Sequence, residues 1–185
     1  MRIFIAVEFS NEIKKYLHNI QEIVKKNSIS GKFTDKDNFH LTIRFIGEIT
    51  EVQLNNLKKA IDNVALNQEE FELNFSRLGE FPRGEKRIIW LGIEANQMMD
   101  KLYFKLENEL EKQGYEKEGR GFVPHITMGR EVVIAEEFKE LEMKAKIIDG
   151  IISVDKVSIM ESTRINGKLT YIPVYVREFS VSTNG

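Results

Sequence analysis

The chain has 185 residues, 42% of them hydrophobic, so it can bury a core without disulfides or a structural metal. Its 27 basic and 29 acidic residues give a net charge of -2, which argues against a protein that coats long nucleic acid by bulk electrostatics. The chain contains no cysteine, which excludes a disulfide framework, a thiolate metal site and a cysteine nucleophile. No apolar run approaches the length of a membrane span, and we expect a cytoplasmic monomer that does not bind membranes.

The first half of the chain predicts two strand and helix pairs. Residues 1–9 are mostly apolar and are interpreted as a buried strand, after which Ser10 can cap a helix that ends between residues 27 and 31. Apolar residues recur in this helix at helical spacing, at Ile13, Leu17, Ile20 and Val24. A strand to about Ile46 follows, and Thr50 can cap a second helix. The apolar side of that helix consists of Leu54, Leu57, Ile61 and Val64.

The second half predicts further strands and two more helices. The strands are expected at residues 71–78, 87–94, 123–128, 151–161 and 169–179, and the helices at 97–113 and 135–144. Residues 79–86 are predicted to be a charged loop because they include two glycines and a proline. Asn166-Gly167 is typical of a hairpin turn between the last two strands.

The most informative feature is a tripeptide pattern that occurs twice in a chain with three histidines. The copies are His40-Leu41-Thr42 and His125-Ile126-Thr127. Both lie in segments where apolar and polar residues alternate, so each strand presents an imidazole beside a hydroxyl on one face. Because each strand follows a helix, we expect an α+β fold of two intimate lobes in one domain spanning residues 1–185. Each lobe then contributes one motif to a cleft between mainly antiparallel sheets.

Several segments resemble the 2H phosphoesterase superfamily, and within it the RNA 2',3'-cyclic phosphodiesterases, formerly called 2'-5' RNA ligases. The matching segments are 1–8, 39–47, 89–92, 122–130 and 158–173. The resemblance implies a bilobal, pseudo-twofold fold with helices on the outside. It also implies an enzyme that opens the 2',3'-cyclic phosphate of an RNA end, or of a small cyclic nucleotide, to leave a 2'-phosphomonoester. Some similar enzymes join 2'-5' linkages reversibly, and neither a metal nor another cofactor is implied.

The two histidines suit this chemistry. Hydrolysis of a cyclic phosphodiester needs a base for the attacking water and an acid for the departing ribose oxygen, on opposite sides of phosphorus. An imidazole can be neutral or protonated near neutral pH, so a pair of them can fill both roles. The resemblance implies that His40 donates a proton to the 3'-oxygen and that His125 activates water. The residues alone leave this order open, since the reverse reaction would exchange the roles.

Three further residues are candidates for binding phosphate. The hydroxyls of Thr42 and Thr127 can bond non-bridging oxygens, although threonine is also simply a good strand former. The resemblance adds Arg130 as a permanent cation. Strict alternation places Arg130 on the buried face, unless Gly129 kinks the strand. Strict alternation places Arg44 on the same face as His40 and Thr42, but the family pattern gives Arg44 less support than Arg130.

Other functions stay open at this stage. The same site could serve 2'-5' RNA ligation, 2'-5' oligoadenylate cleavage or ADP-ribose 1'',2''-cyclic phosphate hydrolysis. A non-catalytic protein could hold RNA ends, although binding alone does not need two titratable groups. A zinc site made by His40 and His125 lacks further ligands at the usual spacing.

The remaining candidates are weaker. His18 is expected to be a solvated helix residue. The cluster of Arg83, Lys86 and Arg87 could grip an RNA backbone, or could simply be a solvated loop. Aromatic residues that could stack on a base, but could equally belong to the core, are Phe9, Phe39, Phe81, Phe122 and Tyr171.

Overall fold

The computed structural model describes residues 1–119, 121–148 and 150–180. The strands are β1 (Arg2–Glu8), β2 (Ser28–Phe33), β3 (His40–Glu48), β4 (Phe71–Arg83), β5 (Lys86–Ile93), β6 (His125–Ile134), β7 (Ile151–Val154), β8 (Lys156–Ile165) and β9 (Lys168–Glu178). The helices are α1 (Asn11–Lys26), α2 (Glu51–Ala65), α3 (Gln97–Lys112) and α4 (Phe138–Lys144). A short 3-10 turn, Lys36–Asn38, precedes β3.

The strands form two antiparallel sheets, and each sheet contains one motif strand. The first sheet has the order β3-β1-β8-β9 and the second has the order β2-β6-β5-β4-β7. β3, with His40, is therefore an edge strand, whereas β6, with His125, lies between β2 and β5. The chain returns to the first sheet with β8 and β9 only after it has completed the second. The predicted α+β class with two mainly antiparallel sheets is confirmed.

Helix ends follow from local sequence. The Ser10 hydroxyl accepts the backbone N–H of Ile13 at the start of α1. Thr50 and Gln53 form a capping box at the start of α2. Gly114, just after α3, has a φ of +87°, a left-handed conformation that ends a helix and favours glycine. These signals place α1, α2 and α3 close to their predicted bounds.

β1 is buried on both faces, with different neighbours on each. Ile3, Ile5 and Val7 belong to the main hydrophobic core. Phe4 and Ala6 point the other way and pack with Met160 of β8. α2 packs against α3 and against β8 and β9, while α1 packs against β2 and β6. Among the described residues, no helix is both long enough and apolar enough to cross a membrane.

The predicted loop at residues 79–86 is wrong, because β4 and β5 continue through it as a hairpin. Their pairing extends to Arg83 opposite Lys86, with Gly84 in the turn at a φ of +65°. Gly79 is required for close approach rather than for flexibility, since a β-carbon there would lie 2.2 Å from the indole of Trp90. The glycine that suggested a loop instead makes room for a cross-strand aromatic ring.

Three other boundaries also differ from the prediction. β2, an edge strand of mainly polar residues, was not predicted. Its residues have a weak intrinsic preference for β structure, and pairing with β6 stabilises the strand. The strand predicted at 151–161 is two strands in different sheets, separated at Asp155. α4 starts at Phe138 rather than at residue 135, because β6 extends to Ile134 and the backbone is still extended at Glu137. The predicted Asn166-Gly167 hairpin is confirmed, with both residues at positive φ.

Candidate functional site

The two motifs meet in one cleft of about 890 Å³. Its walls come from both sheets. All five residues predicted for the site line it, namely His40, Thr42, His125, Thr127 and Arg130.

The His40 ring is held by hydrogen bonds at both nitrogens. Nδ1 lies 2.7 Å from the backbone carbonyl of Asn38 and must carry a hydrogen, because a carbonyl can only accept. Nε2 lies 2.8 Å from the Thr42 hydroxyl. The neutral ring accepts the hydroxyl hydrogen at Nε2, whereas the charged ring donates there. Nε2 is therefore the nitrogen that can exchange a proton with a ligand.

Asn38 anchors the backbone that orients His40. Its side chain is buried and donates to the carbonyl of Leu169 at 2.9 Å. It also accepts the backbone N–H of Tyr171 at 3.0 Å. Both partners belong to β9, so the carbonyl that bonds His40 Nδ1 is tied to a neighbouring strand.

The His125 ring repeats part of this arrangement. Its Nδ1 donates to the carbonyl of Val123 at 2.7 Å, again two residues before the histidine. Nε2 is again the nitrogen left for a ligand. Among the described residues no hydrogen bond joins His125 to Thr127, whose own carbonyl accepts from the Thr34 hydroxyl at 2.8 Å. The second histidine is oriented in the same way but is not engaged by its motif threonine.

Both histidines are held in the neutral form by their surroundings. Burial, with added repulsion from the positive charges of Arg130 and Lys14, lowers the pKa of His40 to about 4. Burial, with repulsion from Arg130, also lowers the pKa of His125. A negatively charged phosphate between them would oppose the repulsion, so binding of such an anion favours protonation.

Arg130 reaches the cleft because a bulge interrupts β6. Thr127 pairs with Trp90 and Gly129 pairs with Ile89, which leaves Met128 without a partner of its own. The extra residue reverses the alternation of side chains between the two faces of the strand after Thr127. Arg130, which strict alternation would bury, therefore faces the cleft. A β-carbon at Gly129 would lie 2.9 Å from Val132, so the bulge needs glycine there for space. The kink proposed from the sequence is present.

Gln21 supports this bulge from helix α1. Its side-chain amide is buried and donates to the carbonyls of Met128 and Thr34, at 2.8 and 2.7 Å. Thr34 donates its backbone N–H to the same Met128 carbonyl at 3.0 Å. The sequence contained a signal for this role, since Gln21 interrupts the apolar face formed by Leu17 and Val24.

Arg44 lies outside the cleft. Its guanidinium forms ion pairs with Glu107, at 2.9 Å, and with Glu118, and it donates to the carbonyl of Glu116 at 2.6 Å. The register between β1 and β3 skips Ile43, so a bulge turns Arg44 away just as the bulge in β6 turns Arg130 inward. The alternative assignment of Arg44 to the site is wrong.

Each histidine is flanked by two aromatic rings. Phe4 and Tyr171 lie 4.7 and 5.1 Å from the His40 ring, centre to centre. Phe81 and Trp90 lie 5.4 and 5.8 Å from the His125 ring. These rings limit the directions in which each imidazole can move.

The five predicted stacking candidates therefore separate into two groups. Tyr171 lines the cleft, and Phe81 is partly exposed beside His125. Phe9 is buried in the core, Phe39 is buried but also forms part of the cleft wall, and Phe122 stacks on a ring of α3. Cleft residues that the sequence did not single out include Arg2, Phe4, Thr34, Phe45, Ser162 and Thr163.

A second, smaller cavity of about 240 Å³ lies beside the β4–β5 hairpin. It is lined by the three predicted basic residues Arg83, Lys86 and Arg87 together with Arg130. Part of this charge is neutralised, since Lys86 pairs with Glu131 at 3.2 Å and Arg87 pairs with a glutamate of β4 at 2.5 Å. Arg130 is common to both cavities, so the basic surface is continuous with the cleft.

Among the described residues, no three His, Asp or Glu side chains come together as a group that could hold a metal ion. His18 lies on α1 and is not among the residues that line the cleft. The prediction that it is a solvated residue is only partly right, because its side chain is half-buried and its Nδ1 is buried.

The comparisons with known proteins agree with this geometry. Residues 7–90 match the model of a family described as LigT like phosphoesterase. A protein of Thermotoga maritima named RNA 2',3'-cyclic phosphodiesterase is 31% identical over 88% of this chain and 87% of its own length. A protein of the same name from Methanocaldococcus jannaschii is 32% identical over 82% of this chain and 79% of its own.

Solved structures show the same fold. A protein of Thermus thermophilus, TT0787, has a TM-score of 0.78 at 22% identity, covering 97% of this chain and 98% of its own. The LigT protein of E. coli, solved in complex with 3'-AMP, has a TM-score of 0.77 at 22% identity with the same coverage. These likenesses support the bilobal arrangement of the two sheets.

Proposed function

The chain belongs to the RNA 2',3'-cyclic phosphodiesterase family, and from this premise we propose that it hydrolyses 2',3'-cyclic phosphate ends of RNA to 2'-phosphomonoesters. We propose that His40 and His125 perform the proton transfers and that no metal ion takes part. The observation that carries the proposal is the convergence of two imidazoles from two sheets on one cleft that also contains Arg130.

The proposed reaction is an in-line displacement at phosphorus. His125 Nε2 removes a proton from water as the water oxygen bonds to phosphorus. The bond between phosphorus and the 3'-oxygen breaks, and His40 Nε2 delivers its proton to that oxygen. The 2'-oxygen keeps the phosphate, so the product is a 2'-monoester and each histidine ends in the protonation state with which the other began.

The acid must be protonated before it can act, although burial and nearby positive charge favour neutral rings. A cyclic phosphodiester carries one negative charge, which offsets the repulsion that Arg130 and Lys14 exert on His40. We propose that His40 takes up its proton as the substrate binds. The fixed Nδ1 bond to Asn38 then keeps Nε2 aimed at the leaving oxygen.

Thr42, Thr127 and Arg130 are proposed to bind the phosphate. Two hydroxyls and a guanidinium can satisfy the non-bridging oxygens, where negative charge accumulates in the transition state. The Thr42 hydroxyl donates to Nε2 of neutral His40. Once Nε2 carries a proton it can no longer accept, so the hydroxyl hydrogen becomes free to bond the phosphate.

The test is incubation with nucleoside 2',3'-cyclic phosphates and a short RNA ending in one, in excess EDTA, with 2'- and 3'-monophosphate products separated. We expect 2'-phosphate from the wild type and almost none from His40→Ala or His125→Ala. The matched control is His18→Ala, which removes the remaining histidine and should leave turnover unchanged. Loss of activity in EDTA would contradict the metal-free mechanism.

The competing functions predict other results in the same experiment. A protein that only holds RNA ends would bind the cyclic phosphate without turnover at any pH, whereas the proposed enzyme should give a bell-shaped dependence of kcat/KM on pH. An enzyme for 2'-5' ligation or another cyclic diester would show turnover only with that substrate. A 3'-phosphate product would mean that the 2'-oxygen, and not the 3'-oxygen, is the leaving group.

A further inference from the structure

The position of Arg130 in the cleft depends on the backbone from which it projects. Among the described residues, no hydrogen bond or ion pair holds its guanidinium, although it lines the cleft. An arginine side chain has many rotamers, so its reach is set first by the direction in which the backbone releases it. That backbone is irregular, because β6 bulges at Met128 and Glu131 has a φ of +51°. Whatever fixes the shape of the bulge therefore fixes the position of Arg130.

Donors from outside β6 bond two neighbouring carbonyls of the bulge. Met128 has no partner on β5, and its carbonyl accepts the side-chain amide of Gln21 at 2.8 Å and the backbone N–H of Thr34 at 3.0 Å. The carbonyl of Thr127 accepts the Thr34 hydroxyl at 2.8 Å. Buried backbone carbonyls are nearly always hydrogen-bonded, so these donors stabilise the irregular backbone. Helix α1 and the residue that follows β2 therefore support the bulge together.

Gln21 connects these contacts through one planar amide. Its side chain is buried, and the amide also donates to the carbonyl of Thr34 at 2.7 Å. Because each amide hydrogen has its own carbonyl, the amide cannot rotate without losing a hydrogen bond. The side chain lies on the buried, otherwise apolar face of α1, and this helix packs against β2 and β6. A residue on a helix thereby fixes the distance between the bulge and Thr34.

We propose that Gln21 is a positioning residue that keeps Arg130 directed into the cleft. Gln21 is not among the residues that line the cleft, so it acts through the backbone of Met128 and Gly129. The inference rests on the proposed function, in which Arg130 binds the phosphate, and extends it to a residue of α1. A glutamine with a merely structural role would stabilise the fold without affecting Arg130 or the groups near it.

The kinetic test is a double-mutant cycle. Gln21→Met keeps the length of the side chain but removes both donors. We expect it to lower kcat/KM on a cyclic nucleotide by about 10-fold, since misplacing a group by about 1 Å can cost about 10²-fold. In the double variant Gln21→Met/Arg130→Met, the loss should equal that of Arg130→Met alone, because a displaced arginine contributes little that can still be removed. Losses that multiply would overturn the positioning role.

The second test follows the charge of Arg130 through the two histidines. Arg130 repels a proton from His125, and together with Lys14 and His125 it repels a proton from His40. If Gln21→Met lets Arg130 turn away, NMR titration should show that the pKa values of both histidines rise, as they should in Arg130→Met. Unchanged pKa values in Gln21→Met, beside raised values in Arg130→Met, would overturn the proposal.

Two further variants separate positioning from stability. Leu57→Ala, in the buried core under α2, is the control and should lower Tm without changing either histidine pKa. If Gln21→Met does not fold, Gln21→Asn keeps the amide on a shorter side chain and should raise both pKa values in the same way. The titration needs no turnover. A wild type that hydrolyses no cyclic phosphate would therefore contradict only the proposed function, while raised pKa values would still support the positioning role.

Discussion

The halves of the cleft built on β3 and β6 share a backbone design and differ in electrostatics. In both, histidine Nδ1 bonds a carbonyl two residues back and a bulge follows the threonine. In the β3 half, Nε2 of His40 is hydrogen-bonded to Thr42, and burial lowers the pKa of His40 to about 4. In the β6 half, the threonine is not bonded to the histidine and Arg130 supplies a fixed charge. A symmetric frame can thus hold two groups with unequal chemical tasks.

The largest effect should come from the two histidines, and a change of leaving group should tell them apart. His40→Ala and His125→Ala should each lower kcat on a cyclic nucleotide by about 10²- to 10⁴-fold. Bis(4-nitrophenyl) phosphate has a leaving group that needs no proton, so His40→Ala should recover most of its rate there. Steady-state rates on both substrates test this. If the rate recovers in His125→Ala instead, then His125 is the acid and His40 is the base.

The motif threonines should give the next largest effect. Thr42→Val and Thr127→Val each remove a phosphate donor, which is worth about 2 to 4 kcal/mol of transition-state stabilisation by analogy with oxyanion-hole donors. We expect the larger loss in kcat for Thr42→Val, because this change also removes the partner of His40 Nε2. The serine variants keep the hydroxyls and serve as controls. Equal losses at the two positions would indicate that the halves are equivalent here.

The two arginines that follow the motifs should separate activity from stability. Arg130→Met should lower kcat/KM by about one to two orders of magnitude, with little change in Tm, because it removes a charge-assisted contact to phosphate. Arg44→Met leaves buried Glu107 without its cationic partner, with only the backbone N–H of Glu118 still bonded to it, and should lower the free energy of unfolding by about 3 kcal/mol. Thermal melts and steady-state kinetics are measured on both variants. A stable, inactive Arg44→Met would contradict this division.

The smallest expected effect is a shift in the pKa values of His40 and His125. Since Arg130 repels a proton from both rings, Arg130→Met should raise the pKa of both histidines. In the wild type both titrate below 6.5, so kcat/KM should reach its maximum on the acid side of pH 6.5 and fall at higher pH as the acid loses its proton. NMR titration of the imidazole carbons checks the pKa values. A maximum above pH 7 would contradict the lowered pKa values of the two histidines.

The strand motifs were predictable because they depend on local alternation, and the helix starts because caps are local. The positions of Arg44 and Arg130 depend on bulges, which appear only when neighbouring strands are paired. Gly129 was the single local hint, and it pointed correctly. Gly79 misled the prediction of a loop, because the sequence does not distinguish a glycine that leaves space for an aromatic ring from one that forms a turn. The roles of Asn38 and Gln21 arise from contacts distant in sequence.

The order of strands in the first sheet also has a consequence for synthesis. β1 leaves the ribosome before β3 and long before β8, yet it lies between these two strands. The second sheet can be completed while one side of β1 still lacks its neighbour. An open strand edge is a site for unwanted pairing with other chains. The sheet that holds His40 therefore stays incomplete during synthesis for longer than the second sheet does.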